Sequence, residues 1–179
     1  MSEILIQTLK DWQNFYFMTG SASATLIGLM FVAVSLGSNM IDDHASLNFQ
    51  LFVTPVVVHF TIVLVLAALM IIPSHTPISL GSFLILIGTI SAAYTIRLVW
   101  MMTQHPQSQV LNKGHYFWHG AFPVISYFGV FVGGMGIFAS EWRILDLVAL
   151  LIILLLVSSI RNAWYLILWI ALNRSNHEN

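Results

Sequence analysis

Five long apolar runs take up most of this chain of 179 residues, and they constrain its fold more than any other feature. The runs extend roughly over Phe15 to Gly37, Leu51 to Ile72, Ile78 to Met102, Tyr116 to Ser140 and Ile144 to Leu172. Each meets or exceeds the about 20 residues that cross the hydrocarbon core of a bilayer as a helix. We therefore expect an all-α integral membrane protein, a bundle of about five transmembrane helices.

The composition supports the same fold class. Hydrophobic residues make up 58% of the chain and charged residues only 7%, which suits helices surrounded by lipid rather than by water. The polar stretches between the runs are too short to hold a core of their own, so residues 1–179 are expected to form a single transmembrane domain. A net charge of −1 offers no basic surface for nucleic acid, and the absence of cysteine excludes thiolate catalysis and disulfides.

A short amphipathic segment precedes the first run. Its apolar residues, Ile4, Leu5, Leu9, Trp12 and Tyr16, fall on one side of a helix, opposite a polar side. This pattern is typical of a separate N-terminal helix that lies flat in the membrane interface. The alternative is an N-terminal extension of the first span.

Five spans would place the two termini on opposite sides of the membrane. We name the end of the bundle at which the chain begins the lower end, and the opposite end the upper end. The lower connections carry Lys10 and Arg143, while the upper ones carry Lys113 and Arg174, with further arginines nearby. The positive-inside rule therefore weakly favours a cytoplasmic C-terminus.

Small residues recur at four-residue spacing in two of the runs, at Gly20, Ala24 and Gly28 and at Gly129 and Gly133. Such stripes allow the close backbone approach through which membrane helices associate. They predict either packing within the chain or contact between copies. Because so small a bundle has little interior of its own, we favour a homo-oligomer.

Ionisable residues inside the spans are the strongest indication of a functional site. Placing one in hydrocarbon costs about 2.5 kcal/mol or more unless it faces a cavity or a partner. His59, Arg97 and Arg161 all fall in the upper half of the predicted bundle. They are predicted to line a ligand site or a pore.

Aromatic and polar residues accompany both arginines. Tyr94 and Trp100 lie within one helical turn of Arg97, whereas Asn162, Trp164 and Tyr165 follow Arg161. Aromatic rings can stack on a guanidinium plane, so this grouping predicts an anionic ligand or ion held by inward-facing arginines. The alternative is that both arginines extend to the upper interface, with the aromatic residues marking the membrane boundary.

His115 and His119 are four residues apart and would share one face of a helix. They are candidate ligands for a metal or haem iron, although histidines at a membrane interface are also common without metal. No carboxylate stands in the position of a metalloprotease base, and no other catalytic motif is visible, so enzyme activity is not expected. The sequence indicates no particular cofactor.

Three hypotheses for function remain at this point. The favoured one is a small oligomeric channel or carrier with a basic, histidine-containing site for an anion. The second is an accessory or structural membrane subunit that needs only its packing stripes. The third is a haem-, metal- or quinone-binding redox protein that uses the histidines and aromatic rings.

Overall fold

The computed structural model describes residues 2–37, 45–104, 120–141 and 143–177, and these form five helices, with no strand among the described residues. The helices are α1 (Ser2–Gly37), α2 (Ala45–Ile71), α3 (Pro77–Gln104), α4 (Phe122–Phe138) and α5 (Ile144–His177). The prediction of an all-helical fold is confirmed.

Four of the five helices are long and apolar enough to cross a bilayer. The spanning windows are Ile4–Leu36 in α1, Thr54–Ile71 in α2, Pro77–Met101 in α3 and Ile144–Leu168 in α5. The fourth helix, α4, is a shorter apolar helix of 17 residues, and the first residues of the fourth apolar run, 116–119, lie outside the described ranges. Length and composition thus indicate a multi-pass membrane protein.

The N-terminal segment does not form a helix of its own. The first helix runs without interruption from Ser2 to Gly37, so the expected separate interfacial helix is wrong and the alternative, an extension of the first span, is what the structure shows. Leu5 and Leu9 are buried, and with Tyr16 they belong to a core cluster shared with the other helices. Packing against the bundle therefore accounts for the apolar side of this segment.

Successive helices run antiparallel and form two pairs joined by the last helix. The first pair is α1 with α2, and the second is α3 with α4. The last helix, α5, packs against both α2 and α4, whereas α3 has no extensive contact with α5. The central position of α5 holds the two pairs together.

Glycines bring α3 and α4 into backbone contact. A Cβ atom at Gly88 would lie 2.8 Å from the backbone nitrogen of Phe131 and 2.9 Å from the carbonyl oxygen of Tyr127. Lower down the pair, a Cβ at Gly134 would lie 2.7 Å from the carbonyl oxygen of Gly81. Only glycine permits helices to approach this closely.

A second row of glycines on α4 receives side chains from α5. Here the obstacle to a Cβ is a side chain rather than backbone: Leu151 at Gly129, Val148 at Gly133 and Ile144 at Gly136. The fourth helix is thus lined with glycine on two faces, one for each neighbouring helix.

A tight turn connects α4 to α5. The amide of Glu141 donates to the carbonyl of Gly136 (3.0 Å), and that of Ser140 donates to the carbonyl of Ile137 (3.0 Å). This is the Schellman arrangement, in which the residue after the helix adopts a left-handed conformation. Ser140 fills that position with φ of 62°.

The interior contains two apolar clusters. The larger, in the lower part of the bundle, includes Tyr16, Leu66, Leu84 and Ile152. The smaller joins the upper parts of α1, α2 and α5 and contains Met30, Val56, Phe60, Ala163 and Leu166. Burial of these side chains against one another, rather than against lipid, defines the inner face of each helix.

Candidate functional site

Buried polar side chains form a layer in the upper half of the bundle, where the smaller apolar cluster meets the larger one. On α5, for example, the polar positions Ser158, Ser159 and Asn162 come after Leu155 of the larger cluster and directly before Ala163 of the smaller one. Every helix contributes to this polar layer, which comprises Ser23, His59, Ser91, Thr95, Ser126, Ser158, Ser159 and Asn162, together with the hydroxyl of Tyr127, whose ring belongs to the larger cluster. A polar group inside an apolar bundle is costly unless it is hydrogen-bonded, so this layer is the natural place to look for a site.

The centre of the polar layer is a pair formed by His59 of α2 and Tyr127 of α4. The Nδ1 atom of His59 lies 2.5 Å from the hydroxyl oxygen of Tyr127, and the two ring centroids are 5.6 Å apart. His59 is 1% exposed and Tyr127 is fully buried. Because α2 and α4 belong to different helix pairs, this hydrogen bond crosses the junction between the pairs.

A second interhelical hydrogen bond lies next to this pair in the chain. The hydroxyl of Ser23 donates to the carbonyl oxygen of Phe60 at 2.6 Å, which ties α1 to α2 beside His59. On α3, Tyr94 is half-buried. The two hydrogen bonds together link three helices, α1 to α2 and α2 to α4.

Several other hydroxyls of the polar layer bond within their own helix. Thr95 donates to the carbonyl of Ser91 (2.8 Å), Ser126 to that of Phe122 (3.0 Å) and Ser159 to that of Leu155 (2.8 Å). Such bonds satisfy a hydroxyl without joining helices. The His59–Tyr127 hydrogen bond, by contrast, joins the two pairs, and the Ser23 hydroxyl joins α1 to α2 within the first pair.

The structure separates the two arginines that the sequence grouped together. Arg97 lies on the outer surface of α3, and Arg161 is partly buried on α5. The guanidinium carbon of Arg161 lies 5.3 Å from the centre of the Tyr165 ring, and its Nη2 atom donates to the Tyr165 hydroxyl at 3.4 Å. Arg161 thus lies over the ring of Tyr165, one of the two aromatic residues that follow it within a helical turn.

The other residues predicted to line the ligand site differ in how far they are exposed. Asn162 is buried in the polar layer, directly after Arg161 in the chain. Trp100 and Trp164, by contrast, are 63% and 61% exposed and face away from the bundle. Of the predicted ligand-site residues, the polar layer therefore includes His59 and Asn162, with Tyr94 at its edge.

The candidate metal ligands His115 and His119 lie outside the described residues. Within residues 2–37, 45–104, 120–141 and 143–177, no group of three histidine or acidic side chains is placed to hold a metal ion. The metal and haem hypothesis thus remains a prediction from the sequence.

The predicted packing residues occupy two different environments. Gly129 and Gly133 face α5, and a Cβ at Gly20 would lie 3.3 Å from the Cβ of Ala67 on α2. Ala24 and Gly28 are exposed, and nothing lies within 4 Å of a Cβ built at Gly28. Part of the stripe on α1 is therefore available to a neighbouring molecule or to lipid.

Two features of the site and its surroundings were not predicted from the sequence. One is Tyr127 as the partner of His59, and the other is the part that α3 plays in its backbone contact with α4. Tyr127 looks like one more aromatic residue in an apolar run, and only the three-dimensional structure shows its hydrogen bond to His59. Gly81 and Gly88 of α3, by contrast, are seven residues apart, a spacing that marks one face of a helix and could have been recognised.

Comparison with protein-family models, with curated proteins and with solved structures finds no match for this chain.

Proposed function

We propose that this protein is a membrane channel or carrier that crosses the bilayer five times and binds an anion at the polar layer. In this proposal α4 completes the fifth span, the termini lie on opposite sides and the C-terminus is cytoplasmic. The protein acts as a homo-oligomer in the lipid bilayer.

The observation that carries the proposal is the buried His59–Tyr127 hydrogen bond at the junction of the two helix pairs. A helix bundle that only had to be stable would gain more from an apolar contact there, because ionisable groups inside a membrane are costly. Transporters commonly place their binding sites at such junctions near the middle of the membrane. Movement of one pair relative to the other would open the polar layer to either side.

Positive charge near the polar layer favours an anion over a cation. Arg161 precedes Asn162 of the layer, is partly buried and carries the positive charge of a guanidinium group. Neither Asp nor Glu occurs in the described parts of the spans at this level; Asp11, Glu141 and Asp146 all lie toward the lower end. An anion entering the layer would be attracted by this distribution of charge.

Flux measurements in proteoliposomes test the proposal. Purified protein is expected to catalyse uptake of chloride or nitrate above the rate of empty liposomes, with phosphate as a multivalent comparison. His59→Gln keeps a hydrogen-bonding side chain and is expected to reduce this flux at least tenfold. Flux equal to that of empty liposomes for all three anions would contradict the proposal.

His75→Gln provides the matched control. His75 lies in the connection between α2 and α3, where its Nδ1 atom is 3.0 Å from the hydroxyl of Ser79 at the start of α3. This substitution makes the same change of side chain as His59→Gln, but at a position far from the polar layer. It is expected to leave flux unchanged, and an equal loss in both variants would show that the effect is not specific to His59.

An accessory or structural subunit is the second candidate, and the open stripe on α1 favours it. Ala24 and Gly28 present small side chains outward, as a helix does when it packs against another protein in the membrane. In that case the protein would co-purify from its native membrane in fixed ratio with a larger complex and would catalyse no flux alone.

A further inference from the structure

The outer face of α3 carries a single charge among apolar side chains. Arg97 is the only charged residue of this helix, and it is exposed, as are Ile90, Ile96 and Trp100 on the same face. It lies inside the apolar window of α3, four residues before the window ends at Met101. A guanidinium that faces lipid at such a position is costly unless its charge reaches an anion.

Glycine contacts relate the height of Arg97 to that of the other helices. Gly81 of α3 approaches the main chain of α4 one residue from Gly133, which packs against Val148 of α5. Gly81 and Val148 therefore lie at about the same level, on two helices that run in the same direction. Arg97 is 16 residues beyond Gly81. Trp164 is likewise 16 residues beyond Val148, so both residues lie roughly 24 Å further up.

The exposed tryptophans near this level are typical of a membrane boundary. Trp100 of α3 and Trp164 of α5 are each more than half exposed, although the two helices have no extensive contact with each other. Tryptophan is enriched where the hydrocarbon core meets the headgroups, because its ring is apolar and its N–H group is polar. The headgroup region of the upper leaflet is therefore expected at the level of Arg97.

We propose that Arg97 binds the phosphate group of a phospholipid in the upper leaflet. A guanidinium can donate two parallel hydrogen bonds to phosphate oxygens, and its stem can extend along apolar surface toward the headgroups. The exposed Ile90 and Ile96 lie on the same face, where they contact the acyl chains. This lipid contact lies on the outer surface of α3 and is independent of the proposed anion site.

A carboxylate from a second copy of the chain is the alternative partner for Arg97. In the described ranges the acidic residues lie toward the lower end, as at Asp11, Glu141 and Asp146. A second copy in the same orientation therefore brings no described carboxylate to the level of Arg97. Phospholipid phosphate, by contrast, surrounds the bundle at the headgroup level, which favours lipid as the partner.

Photolabelling in proteoliposomes tests the proposal. Two probes carry the same photoreactive acyl chain: phosphatidylglycerol, which has a headgroup phosphate, and diacylglycerol, which has none. We expect phosphatidylglycerol to label residues 90–101 of α3 about fivefold more than diacylglycerol does. The outer face of α4 around Phe128 is exposed and uncharged, so it is the internal control and should take up both probes equally.

Two variants assign the preference to one side chain. Arg97→Gln removes the charge and is expected to lower labelling of α3 by phosphatidylglycerol to the level of diacylglycerol. Arg143→Gln makes the same change at the lower end and should leave labelling of residues 90–101 unchanged. Unchanged labelling of α4 shows that both variants are folded. If Arg97→Gln did not fold, the comparison of the two probes on the wild-type protein would still decide.

Equal labelling of α3 by the two probes in the wild-type protein would overturn the proposal, and so would a preference that Arg97→Gln leaves unchanged. Asp42, Asp43 and Glu178 lie outside the described residues, so they are replaced together by the corresponding amides. If a preference for phosphatidylglycerol appeared only in that triple variant, a protein carboxylate would hold Arg97 in the wild type, and the proposed lipid contact would be wrong.

Discussion

The two helix pairs use small residues in different ways. In the α3–α4 pair, glycines bring backbone against backbone, as at Gly88, where a Cβ would lie within 3.0 Å of three main-chain atoms. In the α1–α2 pair, only Gly20 makes a comparable approach, to Ala67 at 3.3 Å, and Gly28 faces open space. A glycine stripe therefore indicates only that a close helix contact is possible. Whether glycine is required depends on what a Cβ at that position would meet: backbone, a side chain or open space.

The largest effect is expected where that obstacle is backbone. Gly88→Ala would force α3 and α4 apart, because neither main chain can move locally to make room. We expect a loss of about 3 kcal/mol or more in the free energy of unfolding, measured by denaturation in mixed micelles. If Gly88→Ala were as stable as the wild type, the backbone contact between α3 and α4 would not be needed for folding.

A smaller effect is expected where the obstacle is a side chain. A Cβ at Gly129 meets the Leu151 side chain, which can change rotamer. We expect Gly129→Ala to cost about 1 to 2 kcal/mol in the same assay. Combination with Leu151→Ala removes the obstacle, so the cost of Gly129→Ala should largely disappear in that background; additive effects would contradict this account.

The polar contact of the first pair is expected to contribute less than either glycine contact. Ser23→Ala removes the hydroxyl that donates to the Phe60 carbonyl. Interhelical hydrogen bonds of this kind contribute about 0.6 kcal/mol on average in membrane proteins, so a loss of this size is expected. Thr25→Ala is a suitable control, because the exposed Thr25 hydroxyl bonds only to the Ser21 carbonyl in its own helix. A loss no larger than that of the control would show that the Ser23 hydrogen bond does not stabilise the α1–α2 contact.

The smallest effect on folding is expected at Gly28, despite the largest change in side-chain size. Gly28→Leu should leave the free energy of unfolding of the monomer within about 0.5 kcal/mol of the wild type, since the new side chain meets no other part of the chain. If copies associate through α1, the same substitution should weaken the oligomer, which mass measurement in nanodiscs would detect. An unaffected oligomer would place the contact elsewhere, and a monomeric wild type would remove the oligomer from the proposal.

The sequence predicted where the helices lie in the chain better than it predicted how they pack against one another. Apolar runs of spanning length identified all five elements, because a membrane helix satisfies its own backbone and is recognised from local composition. Which face of each helix points inward depends on partners that are distant in the chain. For this reason Arg97 and Arg161 looked equivalent in the sequence, although one lies on the outer surface and the other is partly buried.

The same reasoning explains the partial success at the candidate site. His59 was recognisable because a histidine in an apolar run is rare whatever surrounds it. Tyr127 was not, since tyrosine is common in membrane helices and its role depends on the junction of two pairs. The sequence favoured a separate interfacial helix over the uninterrupted α1. The reason is that an amphipathic segment has the same pattern whether lipid or protein covers its apolar side.

The position of α5 also has a consequence for biosynthesis. This helix follows the other four in the chain, yet it is the one that packs on both pairs and covers the second glycine face of α4. During translation, the first four helices can enter the membrane as two hairpins before α5 is made. Until α5 inserts, the faces of α2 and α4 that it covers lack their partner helix, so this interval is when the nascent protein is most exposed to membrane quality control.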